Sequence, residues 1–460
     1  MMMLANSQDT IIALSTANAA SAIAVIRLSG SEALNVVKPF WKGKSLDSIS
    51  PNQALYGTIS DENNQLIDEV VLTYFKAPYS YTKEHVVEIS CHGSIFIIRK
   101  LIGLFLKKGI RLAEPGEFTK RAFLNGRFDL SQAEAVADII ASESAAEHQL
   151  AMNQLKGGVS NQIKSLRDEL INFTALLELE LDFSEEDVEF ADRSRFLSLV
   201  ETTSLLIQQL LESFTLGNAI KKGVNTVIAG RPNAGKSTLL NALLDEERAI
   251  VSEIAGTTRD TIEETLVING ITFRIIDTAG IREATDQIEA IGVEKTYEKI
   301  KTSSILVYLF DINALSFEEV NEDLKKLERE NLNLVVVGNK TDSVKEKNHH
   351  LHFNPHKFIG ISAKNKHNIS ELKEMIYSCV AENLNFSSNV IISNSRHYEC
   401  LLKAKESIQR VKDGLNNQLG SELIAEDLRE TIRNLGNITG EVDVDKDILG
   451  TIFGRFCIGK

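Results

Sequence analysis

Gly230-Arg231-Pro232-Asn233-Ala234-Gly235-Lys236-Ser237 follows the apolar run NTVIAG and leads into STLLNALL. A glycine-bounded loop of this spacing, entered from a strand and left by a helix, lets backbone N–H groups close around phosphate oxygens. The helix N-terminus adds partial positive charge. Lys236 then reaches the β- and γ-phosphates, the Ser237 hydroxyl binds Mg2+, and the contact stretch runs Asn233, Ala234, Gly235, Lys236, Ser237 and Thr238. A glycine-rich turn with a chance lysine is the bland alternative, and the strand–loop–helix context argues against it.

Three downstream pieces fit the same chemistry. Asp277-Thr278-Ala279-Gly280 ends an apolar run, where a carboxylate holds the metal shell and a glycine N–H senses the γ-phosphate. Asn339-Lys340-Thr341-Asp342 follows LNLVVVG. An aspartate there accepts the N1–H and exocyclic N2–H2 of guanine, which adenine does not offer. Ser362-Ala363-Lys364 follows a further strand and offers a backbone N–H to guanine O6. Four such elements in order predict a GTPase.

Working outward, residues 220–378 alternate apolar strands (NTVIAG, FRIIDTAG, SILVYLFD, LNLVVVGNK, FIGIS) with helix-length segments, the pattern of a parallel, doubly wound sheet. Residues 1–125 carry short β-rich runs (TIIALST, IAVIRLSG, LYGTIS, EVVLTYF, HVVEISCHG) between turn clusters, predicting an α/β or α+β domain. No proline lies between Pro115 and Pro232 or after Pro355, which permits long helices in 126–219 and 379–460. Ile163, Leu166, Leu170, Phe173 and Leu177 recur at helical spacing as one buried stripe, and Leu401, Ile408 and Leu415 repeat at sevens. A phosphate-loop domain inserted into a two-part helical domain explains this order.

Composition narrows the classes. The 460 residues are 43% apolar and 25% charged, proportions of a globular chain of two to four domains. The net charge of −14 argues against a bulk electrostatic grip on nucleic acid. Cys91, Cys379, Cys400 and Cys457 are widely spaced, which excludes a disulfide scaffold or zinc ribbon and fits a reducing cytoplasm. MMMLANSQDT has no secretory pattern, and no apolar run is long enough to span a membrane.

Two details of the nucleotide motifs stand out. Ile281 follows DTAG where small signalling GTPases place a water-orienting glutamine, so hydrolysis needs another group, and Glu283, Asp286 and Glu289 are the candidates. Asn233 inside the loop, together with Ser252-Glu253-Ile254-Ala255-Gly256-Thr257-Thr258, can coordinate a monovalent cation beside the phosphates, in the place of an arginine finger.

GRPNAGKS, IAGTTRD, DTAGIRE and NKTD, together with IAVIRLSG, PGEFTKRAFLNGRFDLSQAEAVADII and the terminal FCIGK, resemble the MnmE (TrmE) family of tRNA modification GTPases, within the TrmE-Era-EngA-like GTPases. The resemblance covers the whole chain. It implies an N-terminal folate-binding and dimerising domain (1–125), a helical-bundle domain in two parts (126–219 and 379–460) and an inserted Ras-like G domain (220–378). It also implies a K+-stimulated homodimer that works with the FAD-dependent partner MnmG. Together they would place an aminomethyl-type (carboxymethylaminomethyl) group on C5 of the tRNA wobble uridine, with the carbon drawn from a tetrahydrofolate. By position, Asn233, Ser252, Ile254 and Thr257 match K+ ligands, and Ser237 and Thr258 match Mg2+ ligands. Glu289 matches the water-orienting acid, which with Lys236 forms the catalytic pair. Arg27, Glu88, Arg127 and Lys460 match contacts of 5-formyltetrahydrofolate. The chain departs from the family at Ser15–Ala22 and at Lys83 and His85, which stand where Gly and Asp are common.

Cys457 is weighed as a nucleophile or a buried small residue. His349, His350, His352 and His356 have no ligand-spaced partner and read as a solvated loop. The rival reading, a ribosome-assembly GTPase switch on RNA, needs a basic module that neither the charge balance nor the termini supply.

Overall fold

The protein is described by a computed structural model over residues 9–182, 193–244, 263–277, 303–329, 332–343, 353, 356–381 and 390–440. The chain divides into two compact units. One comprises residues 1–141, 151–204 and 403–460, and the other 142–150 and 205–402.

In the first unit, β1 (Ile11–Leu14), β2 (Ser21–Ser29), β3 (Trp41–Gly43), β4 (Gln53–Ser60), β5 (Leu66–Phe75), β6 (Val86–Gly93) and β7 (Arg111–Leu112) form one sheet in the order β3-β4-β5-β6-β2-β1-β7. Its pairs are antiparallel except β1 with β7. The strands alternate: along β5, Asp68, Val70, Leu72 and Tyr74 are buried and their neighbours are more exposed, as expected of a sheet with one packed face. Onto that face pack α1 (Ala33–Val37) and α2 (Ile95–Leu106), whose Ile98, Leu101, Leu104 and Phe105 enter the core. Phe105 meets Phe40 edge to face at 6.0 Å.

Next come α3 (Glu117–Leu124), α4 (Leu130–Ala141), α5 (Ala145–Leu155), α6 (Gly158–Asp182) and α7 (Arg193–Lys222). The expected stripe on α6 is the one buried: Ile163, Leu166, Leu170, Phe173 and Leu177 all face the core. Phe173 stacks on Phe196 of α7 at 5.1 Å. The rest of the chain adds α8 (Lys236–Leu244), α9 (Phe317–Leu327), α10 (Ile369–Ala381), α11 (Ser395–Asn416) and α12 (Ser421–Thr439). α12 packs along α6, and a buried hydroxyl pair, Thr431 to Ser407 at 2.7 Å, joins α12 to α11.

The PGEFTKRAFLNG segment builds an ionic knot at the head of α3. Arg111 clasps Glu117 with both terminal nitrogens, at 2.8 and 2.6 Å, and reaches Asp9 through Nε at 2.6 Å. Arg121, almost fully buried, donates to Glu117, Asp9 and Glu84. The Glu114 N–H donates to Glu117 Oε2 at 2.8 Å. Burial alone pushes the Glu117 carboxyl up, but the bonds from Arg111, the Glu114 N–H and Arg121 outweigh it and hold the pKa at about 2.

In the second unit, β8 (Val224–Ala229), β9 (Glu263–Ile268), β10 (Ile271–Asp277), β11 (Ile305–Asp311), β12 (Asn333–Asn339) and β13 (Lys357–Gly360) are ordered β13-β12-β11-β8-β10-β9. β11 and β12 are buried along nearly their whole length, as parallel strands covered on both faces must be. The expected parallel sheet is found with one difference: β9 is antiparallel to β10. Asn269-Gly270, at φ +49° and +83°, forms a two-residue turn of the kind that matches strand twist and returns the chain as a hairpin. Residues 142–150 belong to this unit, and Glu147 accepts from Thr272 of β10 at 3.0 Å. Among the described residues no helix is long and apolar enough to cross a membrane.

Glu117 yields a pH dependence with a definite sign. Its folded pKa of about 2 lies below the ordinary 4.5. Its contribution, about 3 kcal/mol, is therefore complete above the ordinary value and is lost as pH falls through about 2. Denaturant unfolding of the seven-stranded unit between pH 6 and 2 should show that loss in wild type and a flatter profile in Glu117→Gln.

Candidate guanine-nucleotide site

β8, β12 and β13 carry the motif segments to one edge of the second sheet, beyond their C-terminal ends, where open α/β sheets bind ligands. β8 ends at Ala229 and α8 begins at Lys236, so residues 230–235 form the turn between them. Asn233 sits at φ +61° and Gly235 at φ +97°. A Cβ on residue 235 would stand 2.4 Å from Asn339 Nδ2, so both the backbone angle and the space require glycine. Lys236 Nζ donates to the Gly230 carbonyl at 2.8 Å and the Arg231 carbonyl at 3.2 Å, which places its charge over the loop. Ser237 and Thr238 are exposed in the first turn of α8, where the hydroxyl of Ser237 can join the coordination of a phosphate-bound Mg2+.

Asn339 is buried and organises the loops around it. Its Nδ2 donates to the Ala234 carbonyl at 2.8 Å, and its Oδ1 accepts from Lys340 N at 2.8 Å and Ala363 N at 3.0 Å. Asp342 is exposed. One carboxylate oxygen accepts from Ser362 Oγ at 2.5 Å and the other from Ser343 Oγ at 3.2 Å, and the Ser362 bond chiefly holds its pKa below the usual carboxylate value. It is thus a fixed anion facing solvent, able to accept from a base. Lys340 Nζ pairs with Asp311 at the end of β11, at 2.7 Å, a partner that motif reading did not supply. Lys364 is exposed beside the buried Ser362 and Ala363.

Asp277 closes β10 in register with Ile228 of β8, so its backbone lies next to the loop entry. Ser252, Glu253, Ile254, Ala255, Gly256, Thr257, Thr258, Thr278, Ala279, Gly280, Ile281, Glu283, Asp286, Glu289, Cys457 and Lys460 lie outside the described residues. So do three of the four clustered histidines. The fourth, His356, is half-buried with Nε2 3.4 Å from Glu328, which corrects its reading as part of a solvated loop. Among the described residues no cluster of His, Cys, Asp and Glu could hold a metal.

The first unit holds a separate cavity of about 540 Å³, lined by Phe75, Tyr79, Tyr81, Lys83, Glu88 and Arg127 among others. The β2–β6 register sets Arg27 directly opposite Glu88, and Arg27 donates to Glu88 Oε1 through Nε at 2.8 Å. Arg27 is not a lining residue and reaches the cavity only through its pair with Glu88. Two guanidiniums stand over the Tyr81 ring, Arg27 at 5.4 Å and Arg127 at 4.9 Å from its centroid, and its hydroxyl bonds Thr119 at 2.8 Å. Sequence reading found the charged residues here but missed Tyr81, since only the folded register shows which aromatic ring two distant arginines share. His85, which stands near the cavity in sequence, is instead engaged with Tyr74, whose hydroxyl lies 2.7 Å from Nδ1.

The strand-to-loop-to-helix turn, the fixed lysine and the paired base-reading loops define the class: a P-loop protein that binds guanine nucleotides. Comparison with known proteins narrows this. A family model described as "MnmE helical domain" matches residues 130–457, and one described as "GTP-binding protein TrmE N-terminus" matches residues 10–127. The chain is 50% identical over 455 residues to the tRNA modification GTPase MnmE of Cytophaga hutchinsonii, covering 99% of this chain and 98% of that one. It is 47% identical to the protein of the same name from Porphyromonas gingivalis, covering 99% and 98%. A solved structure of Aquifex aeolicus Era bound to GDP and aluminium fluoride is 25% identical over 40% of this chain and 66% of that chain, with a TM-score of 0.27. The chain belongs to the MnmE family.

Base reading by Asp342 is directly testable. Asp342→Asn replaces an acceptor by a group matched to xanthine, so GTP affinity should fall by at least about a hundredfold while xanthosine triphosphate binding appears. Fluorescence titration with both nucleotides checks it; unchanged GTP affinity would contradict the assignment.

Proposed function

We infer that this GTPase of tRNA modification is activated by K+ and acts, as a homodimer with the FAD-dependent partner MnmG, to add an aminomethyl-type (carboxymethylaminomethyl) group to C5 of the wobble uridine, using a tetrahydrofolate one-carbon unit. The observation that carries the reading is the convergence of the phosphate loop, Asn339, Asp342 and Ser362–Lys364 on one sheet edge, in a chain half identical to named tRNA modification GTPases over its full length.

In this mechanism the loop amides and Lys236 hold the β- and γ-phosphates, and Asp342 selects guanine. Ser237 and Thr258 would hold Mg2+, which would supply charge neutralisation on the phosphates. Asn233, Ser252, the Ile254 carbonyl and Thr257 would hold K+, which would supply positive charge to the transition state in the place of an arginine finger. Glu289 orients the attacking water, as Ile281 has no group to do so. A second site, the cavity of the first unit, takes the folate. Glu88 would accept from the pterin N–H groups and Arg127 would pair with the anionic tail, Arg27 holds the Glu88 carboxylate in place through their ion pair, and Lys460 would complete the set.

Mass spectrometry of bulk tRNA from a strain lacking this protein should show loss of a wobble-uridine modification, restored by the wild-type chain. Normal tRNA with defective ribosomal subunits would favour an assembly switch instead. For the folate site, Glu88→Ala removes a charged acceptor worth about 1.5–3 kcal/mol, so calorimetry should show folate affinity weakened roughly ten- to a hundredfold with GTP affinity intact.

A further inference from the structure

We propose that Asp323, backed by Tyr308, is a positioning residue for nucleotide binding that clamps the phosphate-binding loop through the side chain of Arg231. Arg231 is the second residue of that loop, and its two ends do different things. Its main-chain carbonyl turns inward and accepts from Lys236 Nζ at 3.2 Å and from Ala234 N at 3.3 Å. Its guanidinium leaves the loop and lies along α9. There Nε donates to Asp323 Oδ2 at 2.7 Å, Nη2 to Asp323 Oδ1 at 3.3 Å and Nη1 to Glu319 Oε1 at 3.3 Å.

The anchor is itself fixed twice. α9 starts from a reciprocal cap in which Ser316 Oγ accepts from Glu319 N and Glu319 accepts from Ser316 N, so its first turn is rigid. Tyr308, buried in the middle of β11, donates its hydroxyl to Asp323 Oδ2 at 2.6 Å. Tyr308 pairs in register with Ala229, the residue just before the loop. The path therefore closes on itself, running from Ala229 into the loop, out through Arg231 to Asp323, and back through Tyr308 to Ala229.

An exposed ion pair between single charged groups is worth little, because holding two long side chains costs what the attraction returns. This one differs in being two-pronged and in having its carboxylate held by a third, buried group. What it fixes is the direction of the Arg231 peptide, on which the carbonyl that receives Lys236 depends. With the clamp intact the loop is ordered before nucleotide arrives; without it, binding must supply that ordering. Asp323 touches no nucleotide atom in this account and acts only through the loop.

The inference rests on the guanine-nucleotide reading, and the test separates the two. Dissociation constants for fluorescent GTP and GDP, KM, kcat and the melting temperature are measured on the full chain. Asp323→Asn should raise the dissociation constants and KM about tenfold, with kcat within about twofold. Tyr308→Phe should raise them about threefold, and Arg231→Lys, which keeps the charge and loses the fork, should fall between wild type and Arg231→Ala. The double variant Arg231→Ala with Asp323→Asn should be no worse than the weaker single variant. Losses that add, or unchanged nucleotide affinity with a lowered melting temperature, would overturn the clamp. If Asp323→Asn does not fold, Tyr308→Phe and Arg231→Lys decide the same question. A wild-type chain that binds neither nucleotide would overturn the underlying reading instead.

Discussion

The side chain of Asn339 satisfies three backbone groups from three loops: the Ala234 carbonyl, the Lys340 N–H and the Ala363 N–H. Each of those loops follows a different strand, and none has a local reason to lie near the others. A buried amide with both ends matched leaves little freedom, since moving any one loop strands a donor or acceptor at a cost of about 1–3 kcal/mol. The close approach of Gly235 follows from the same bond, as does the placing of Ser362 where its hydroxyl can hold Asp342. Phosphate recognition and base recognition are thereby built on a shared support.

The first unit reaches rigidity by ionic means. Asp9, Glu84, Arg111, Glu117 and Arg121 come from the chain start, the β5–β6 connection, β7 and α3, and meet in one network. Buried charges stabilise only when every one is matched, and here each arginine faces more than one carboxylate. The arrangement contrasts with the cavity on the same unit, where Arg27 pairs with Glu88 and Lys83 and Arg127 are also among the lining residues. The network suits a scaffold.

The nucleotide edge was legible because its motifs are local: eight consecutive residues specify the loop, and four specify the asparagine and aspartate. The buried strands were legible from their apolar runs, and the α6 stripe from its spacing. β9 is not marked by an apolar run, because Glu263 and Glu264 open it, and its hairpin signal is Asn269-Gly270 alone. Pairings at a distance were not legible. Arg27 with Glu88, Arg231 with Asp323 and Lys340 with Asp311 depend on strand register and helix placement, which residue identity does not encode one position at a time. The segment PGEFTKRAFLNG was readable as a family mark, while its physical task, carrying Glu117 and Arg121 into the ionic network, emerged only from the fold.

The packing of α6 against α12 has a consequence for the order of events during synthesis. The two helices share one core, yet α6 ends at Asp182 and α12 begins at Ser421, with the whole six-stranded sheet encoded between them. At ribosomal rates of ~5–20 residues per second, the apolar stripe of α6 waits roughly 10–50 s for its partner. Throughout that interval Ile163, Leu170 and Leu177 have no α12 to cover them, while the intervening unit can already fold. The newborn chain thus carries a half-built helical core for as long as the nucleotide-binding sheet takes to be made.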